Sequence, residues 1–368
     1  MTEKKNPPFR ADHVGSLLRP KKIREAFKEF HSGKIDKDEF IGIQDESIKE
    51  AIKLQEDLGL QSVTDGEFRR ASYWSSFVER VEGLDVGNSR FTFQDQKGEK
   101  NPFTAPIVKG KLSRVSSIAG DEFSFLNKNT QQTAKITIVS PPTMHMFRLD
   151  ETMPSNIYAT REEYFSDLSK VYREEIKDLE AAGCKYIQLD DVPIPMLSDP
   201  NIQQKVSEDG IKPSSLMSSY ISLFNECIRG RSSDVTIAIH MCRGNYKGKF
   251  LSTGGYEEFA ETFFNELTAD AYFLEYDTPR SGDFSPLSYV PKGKIIVLGL
   301  VSSKTPETQT QQDIIQKIEE ATKFIDIEQL ALSPQCGFVS TVAGNPISLE
   351  DQKAKLAMVV EVAEKVWG

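Results

Sequence analysis

Short apolar runs alternate with longer amphipathic ones along nearly the whole chain. Gln61–Thr64, Ile136–Val139, Tyr186–Leu189, Val235–Ile239, Ala271–Leu274, Lys294–Val301 and Gln329–Leu332 have the length and composition of buried strands. Phe9–Ser16 reads as a first strand that ends at Gly15-Ser16. Between these runs, apolar residues recur at helical spacing. Pro20–Phe30, Asp36–Leu58, Tyr73–Val81, Thr160–Ala182, Ser214–Arg229, Tyr256–Leu267, Pro306–Ile325 and Asp351–Trp367 are predicted helices. Thr160 with Glu163 forms a capping box, and Gly59 and Gly183 mark helix ends.

Eight strand–helix units imply parallel βαβ connections. The expected fold is α/β, a (β/α)8 TIM barrel, with a doubly wound open sheet as the alternative. Residues 83–133 break the rhythm with short alternating pieces such as Phe91-Thr92-Phe93 and Pro106-Ile107-Val108. They predict a β-hairpin excursion between strands two and three, inside a single catalytic barrel spanning 1–368.

Composition narrows the function class. The chain has 368 residues, a formal net charge of -10 and a pI near 5.2. That balance argues against nucleic acid or an anionic membrane as partner. No run is apolar enough to span a bilayer, and the polar start is unlike a signal peptide, so a cytoplasmic location is expected. The four cysteines are expected to be reduced, with Cys184 and Cys227 structural.

In barrels of this kind the active site lies at the C-terminal ends of the strands. Ser16, Glu67, Asp190, His240, Cys242, Glu275 and Cys336 all fall at such ends. His240 and Cys242 are two positions apart and share a strand face. With Cys336 and Glu275 they offer the nitrogen, sulfur and oxygen ligands of a tetrahedral Zn2+ site. Asp277, two positions beyond Glu275, is an alternative ligand. Two thiolates and a carboxylate make an electron-rich site, suited to holding a substrate thiolate and not to activating water. Glu67 and Asp190 are candidates for an amino group, unless they pair with Arg69, Arg70 or Lys185. Gly15-Ser16 offers N–H groups and a hydroxyl to a carboxylate.

His240-Met241-Cys242, Glu275 and Pro334-Gln335-Cys336-Gly337 resemble the zinc motifs of the cobalamin-independent methionine synthase family, C-terminal barrel. Val14-Gly15-Ser16, Asp65-Gly66-Glu67 and Gln188-Leu189-Asp190 resemble its homocysteine motifs, in the right order along nearly the whole chain. The resemblance implies zinc on His240, Cys242, Glu275 and Cys336, and homocysteine on Ser16, Glu67 and Asp190. It implies methyl transfer from 5-methyltetrahydrofolate to homocysteine, giving methionine.

Two positions depart from the family pattern. Its catalytic His falls on Ser302 here, and His13 is the candidate substitute. Its pterin-stacking Trp falls on Phe147, which still offers a ring. The stretch Val301–Glu307 is similar to the epoxyalkane:coenzyme M transferases, so another donor or thiol acceptor is the alternative, with Lys304, Arg243 and Arg148 able to meet an anion. A non-catalytic barrel that binds a metal or an amino acid is the third reading. The expected partners are homocysteine, 5-methyltetrahydrofolate or another methyl donor and, as an open option, a second copy of the chain in a homodimer.

Overall fold

The computed structural model describes residues 6–95, 97–339, 341 and 344–368. Its strands are β1 Ser62–Val63, β2 Val81–Gln94, β3 Lys100–Arg114, β4 Thr133–Val139, β5 Tyr186–Asp191, β6 Thr236–Met241, β7 Ala271–Glu275, β8 Ile295–Val301 and β9 Leu330–Pro334. Seven of them form one curled parallel sheet in the order β1-β4-β5-β6-β7-β8-β9.

The segment 9–16 joins the two ends of this sheet. Asp12 N donates to Leu332 O at 2.9 Å and Leu332 N to Arg10 O at 2.9 Å. On its other side Thr64 Oγ1 donates to Gly15 O at 2.6 Å, and Leu17 N donates to Gly66 O at 3.1 Å. The expected first strand is therefore an extended segment with a single ladder bridge, Ala11 to Leu332. Its remaining bonds are irregular because Asp12 and His13 turn inward to polar partners.

Alternation along the strands sorts the core. Tyr186, Ala238, Ala271, Phe273, Val297 and Ala331 pack with Val14 in one cluster, the barrel interior. Their neighbours Ile187, Ile237, Ile239, Leu274 and Leu298 pack in the larger cluster with the helices. One polar group crosses the interior. Lys135 Nζ lies 2.8 Å from Asp12 Oδ1 and also bonds to His13 O, and Tyr186 OH donates to Asp12 Oδ2 at 2.8 Å. Burial pushes the Asp12 carboxyl up, but Lys135 and the other partners outweigh it and hold it low.

The helices start where the sequence places caps. Asp36 accepts from Glu39 N ahead of the helix Lys37–Asp57, and Thr160 accepts from Glu163 N ahead of Arg161–Ala181. The Thr160 capping box is half formed. Glu163 Oε2 accepts from Ala159 N at 3.0 Å, because its other oxygen is drawn to Lys111. The helix expected at Pro306 begins five residues later, at Gln311, where Thr310 and Asp313 make a reciprocal cap.

β2 and β3 form the antiparallel hairpin expected between strands two and three. Its first strand starts at Val81, and residues 83–133 also contain a helix, Gly120–Asn129, that the alternation did not signal. Two contacts tie the hairpin to the strand-end loops. Gln94 exchanges both backbone bonds with Phe250, at 2.8 and 2.9 Å, and Arg90 N donates to Phe147 O at 2.9 Å. No helix among the described residues is long and apolar enough to cross a membrane.

Candidate active site

One cavity of about 370 Å³ lies at the C-terminal ends of the strands. Seven of the sequence-predicted residues line it: Ser16, Glu67, Phe147, Asp190, His240, Cys242 and Cys336. Asp190, His240, Cys242 and Cys336 are placed by their strands. Asp190 pairs with His240 across the β5–β6 ladder, and Cys242 follows directly on β6. Cys336 follows β9, in a turn where Gln335 N donates to Val301 O at 2.8 Å.

Ser16 and Glu67 need special backbone. A Cβ on Gly337 would come within 2.0 Å of Ser16 Oγ, so a larger residue there would force the Ser16 hydroxyl to turn away. Gly66 and Glu67 both have positive φ, 69° and 60°. Asp65 Oδ1 accepts from Glu67 N at 2.8 Å and holds this turn. Glu67 Oε1 then accepts from Thr137 Oγ1 at 2.8 Å and lies 3.8 Å from Arg70 Nη1. Arg70 also bonds Glu122 twice, at 2.9 and 2.5 Å, so Glu67 shares this guanidinium in a buried ion pair, one of the expected alternatives. Arg69 pairs with Asp45, and Lys185 pairs with Asp234.

The nitrogen and sulfur atoms of His240, Cys242 and Cys336 all lie within 4.8 Å of one another, and all three residues are buried. Neither imidazole nitrogen of His240 has an oriented hydrogen-bond partner. A buried imidazole left unpaired beside two thiols fits a metal ion better than it fits a finished core. The Cys336 thiol donates to Cys242 and, against burial, His240 joins it in holding Cys242 low. Cys336 is raised in turn, by Cys242 and by burial. Burial opposes a charged His240, yet Cys242, Asp190 and Glu275 together raise it.

Glu275 stands apart from this trio. Its Oε2 accepts from Arg243 N at 2.7 Å, and its Oε1 accepts from Arg280 Nη2 at 2.5 Å and Lys304 Nζ at 2.9 Å. Burial alone would raise its pKa, but the three cationic side chains Lys304, Arg280 and Arg243 drive it far below the carboxylate range. Asp277 is also outside the trio. It is buried, neither oxygen has an oriented partner, and burial raises its pKa.

The two catalytic candidates from sequence do not reach the cavity. His13 lies in the barrel interior, where its Nε2 meets Ser62 O at 3.2 Å. Burial and the nearby Lys135 push its pKa to about 3, so it is a neutral ring without the imidazolium proton that a general acid needs. Ser302 lies beside Asp277 and bonds Lys304 N at 3.4 Å, outside the cavity lining. The anion-binding candidates are engaged elsewhere as well. Lys304 holds Glu275, Arg243 bonds Gly254 O and Tyr256, and Arg148 bonds Asn88 O and Glu151.

Sequence reasoning missed much of the cavity's roof. Phe93 and Phe103 come from the hairpin, Tyr73 and Trp74 from the turn before Ser75–Arg80, and Tyr246 from the loop after β6. The period-two placement of Phe91 and Phe93 was a signal for buried faces, but not for what those faces cover. Asp191 is a further unforeseen wall residue. Ser140 Oγ donates to it at 2.6 Å and Ile194 N at 2.7 Å, and burial raises its pKa to about 7.

Comparison with known proteins follows the same lines. Residues 9–365 match the family described as cobalamin-independent synthase, catalytic domain. Uncharacterized protein YxjH of Bacillus subtilis is 38% identical over 371 residues, spanning 100% of this chain and 97% of its own. A solved Listeria monocytogenes protein, provisionally assigned as a vitamin-B12 independent methionine synthase, superposes with a TM-score of 0.76 at 32% identity, over 99% of each chain. The 5-methyltetrahydropteroyltriglutamate–homocysteine methyltransferase of Synechococcus sp. is 23% identical over 90% of this chain, which spans 40% of that relative. With its curled parallel sheet and strand-end cavity, the chain belongs to the cobalamin-independent methionine synthase catalytic-domain family.

Proposed function

We propose that this chain is a zinc-dependent methyltransferase that methylates the thiol of homocysteine to give methionine. One observation carries the reading. A buried imidazole and two thiols converge within 4.8 Å, on the wall of the same cavity that holds Ser16, Glu67 and Asp190.

His240, Cys242 and Cys336 would hold the zinc, and Glu275 is the fourth ligand the resemblance implies, kept ionised by its cationic neighbours. Zinc there supplies a low pKa to a substrate thiol while leaving its sulfur nucleophilic. The protein's own groups orient the amino acid. Glu67 and Asp190 accept hydrogen bonds from its ammonium, and the Ser16 hydroxyl meets its carboxylate. Burial and Glu67 raise Asp190 to about 7, so a bound ammonium also stabilises its ionised form. The aromatic roof excludes water from the transfer step.

The donor in the Synechococcus relative's name is a methyltetrahydropteroyltriglutamate, and 5-methyltetrahydrofolate is the reference donor for this chain. A coenzyme M-like acceptor has less support, because Lys304, Arg243 and Arg148 are engaged away from the cavity.

The test has two arms. Cobalt(II)-substituted protein should change its absorption on adding homocysteine, and zinc-loaded protein should form methionine when a methyl donor is added. A metal-loaded protein whose spectrum ignores homocysteine would sink the reading and favour a barrel that only binds metal.

A further inference from the structure

We propose that the donor half of the cavity takes a methyl group carried on a positively charged sulfur or nitrogen, a small methyl-onium compound. The proposal rests on the homocysteine-methylation reading above and addresses only its donor.

Six aromatic side chains line the cavity: Tyr73, Trp74, Phe93, Phe103, Phe147 and Tyr246. Four of them touch in series. Ring centroids lie 5.3 Å apart for Tyr246 and Phe93, 4.9 Å for Phe93 and Phe103, and 5.0 Å for Phe103 and Phe147. The Phe103 and Phe147 rings stand at 87° to each other, edge against face. Aromatic walls of this kind attract methylated cations through the ring quadrupole.

Charge points the same way. Glu67, Asp190 and Asp191 line the cavity, and no Lys or Arg does among the described residues. Glu67 and Asp190 suffice for the amino group of homocysteine. Asp191 is left over, and its two hydrogen bonds come from neutral donors, Ser140 Oγ and Ile194 N. An anionic donor would meet this wall with only Arg70, already shared between Glu67 and Glu122, as counter-charge, whereas a cation offsets Asp191 when it is ionised.

Leaving-group chemistry gives the third line. A tertiary amine departs readily only when it is protonated. None of the four histidines is placed to do this, which leaves the wall carboxyl Asp191 as the acid that such an amine would need. His13 is sealed in the barrel interior, His31 ends a helix, His145 is held by Tyr220 and Asp150, and His240 belongs to the metal trio. An onium donor needs no such acid. The homocysteine thiolate forms the new S–CH3 bond while the CH3–S+ bond of the donor breaks. The bonding pair stays on the departing sulfur, which leaves as a neutral thioether. One negative and one positive charge cancel, and the thiol proton has already gone to solvent.

Trimethylsulfonium and 5-methyltetrahydrofolate, offered separately with homocysteine to the zinc-loaded protein, test this. The expected result is methionine and dimethyl sulfide in equal amounts from trimethylsulfonium. Calorimetry gives a second readout independent of turnover. Choline should bind at least tenfold more tightly than its neutral isostere 3,3-dimethylbutan-1-ol. Phe103→Leu and Phe147→Leu should each weaken choline binding by about five- to tenfold, as loss of one cation–π wall implies, with zinc content unchanged. Methionine from 5-methyltetrahydrofolate but not from trimethylsulfonium, with choline and its isostere binding alike, overturns the inference and leaves the homocysteine reading standing. No methionine from either donor, with a cobalt spectrum indifferent to homocysteine, overturns both.

Discussion

Lys304 and Glu275 form a buried ion pair beside the His240, Cys242 and Cys336 trio, with Nζ 2.9 Å from Oε1 and side-chain exposures of 8% and 0%. The pair sets what Glu275 can do. Its carboxylate is ionised without any metal, yet each oxygen already accepts at least one hydrogen bond. Removing one partner of a buried pair costs about 3–5 kcal/mol, and here Arg280 remains to compensate. Lys304→Met should therefore cost roughly 3 kcal/mol, the low end of that range, read as a lower midpoint in urea. A variant as stable as the parent would mean that the pair is not held in solution.

The trio predicts a defined metal stoichiometry. Protein purified without chelator should carry one zinc, and Cys336→Ala should lose it, because one nitrogen and one sulfur bind zinc far more weakly than the full set. Metal analysis by atomic emission checks this. The fold should survive, since His240, Cys242 and Cys336 sit at the ends of strands whose own core lies below them. An unchanged far-UV spectrum for the zinc-free variant is the expected control.

Asp191 predicts a pH effect on stability. Burial lifts its folded pKa from 3.8 to about 7. Between these values the folded state keeps a proton that the unfolded state has released, so this group's contribution falls as pH rises. Asp191→Asn removes that slope. From pH 5 to pH 8 the parent should lose about 2–3 kcal/mol relative to the variant, measured by urea unfolding on chelator-treated protein. A stability gap that does not change with pH would show that Asp191 titrates normally.

Much of this organisation was legible in the sequence, and its limits have physical causes. Strand ends could be read because apolar runs stop at polar residues, and that put His240, Cys242 and Cys336 together correctly. Period two says which face a residue takes, but not what opposes it. Glu275 was thus placed on the right strand, while its commitment to Lys304 and Arg280 depends on loops with no period. His13 looked accessible because it lies near the end of the expected first strand, Phe9–Ser16. It is buried because residues 9–16 close the barrel by pointing Asp12 at Lys135, a contact 123 residues away in sequence. The hairpin was visible as alternation, but Phe93 and Phe103 become site residues only through the Gln94–Phe250 bridge, a long-range pairing.

Glu175 shows how the hairpin is anchored, and it supplies the last prediction. It sits in the middle of the helix Arg161–Ala181 and is fully buried. Its oxygens accept from Ile118 N and Ala119 N, both at 2.7 Å, from Ser117 Oγ at 3.1 Å and from Arg114 Nη1 at 2.8 Å. One carboxylate thus joins the end of β3, the start of the helix Gly120–Asn129 and a barrel helix. Two of these donors are backbone N–H groups with no side chain to move away. Glu175→Ala leaves them and the Arg114 guanidinium unpaired, at a cost of about 3–5 kcal/mol. Glu175→Gln keeps the shape and one acceptor, so it should lose less. Hydrogen exchange locates the damage. Protection should fall first at Ile118 and Ala119 and along β3, while β5 and β6 keep theirs. Uniform loss across the barrel would instead make Glu175 part of the global core.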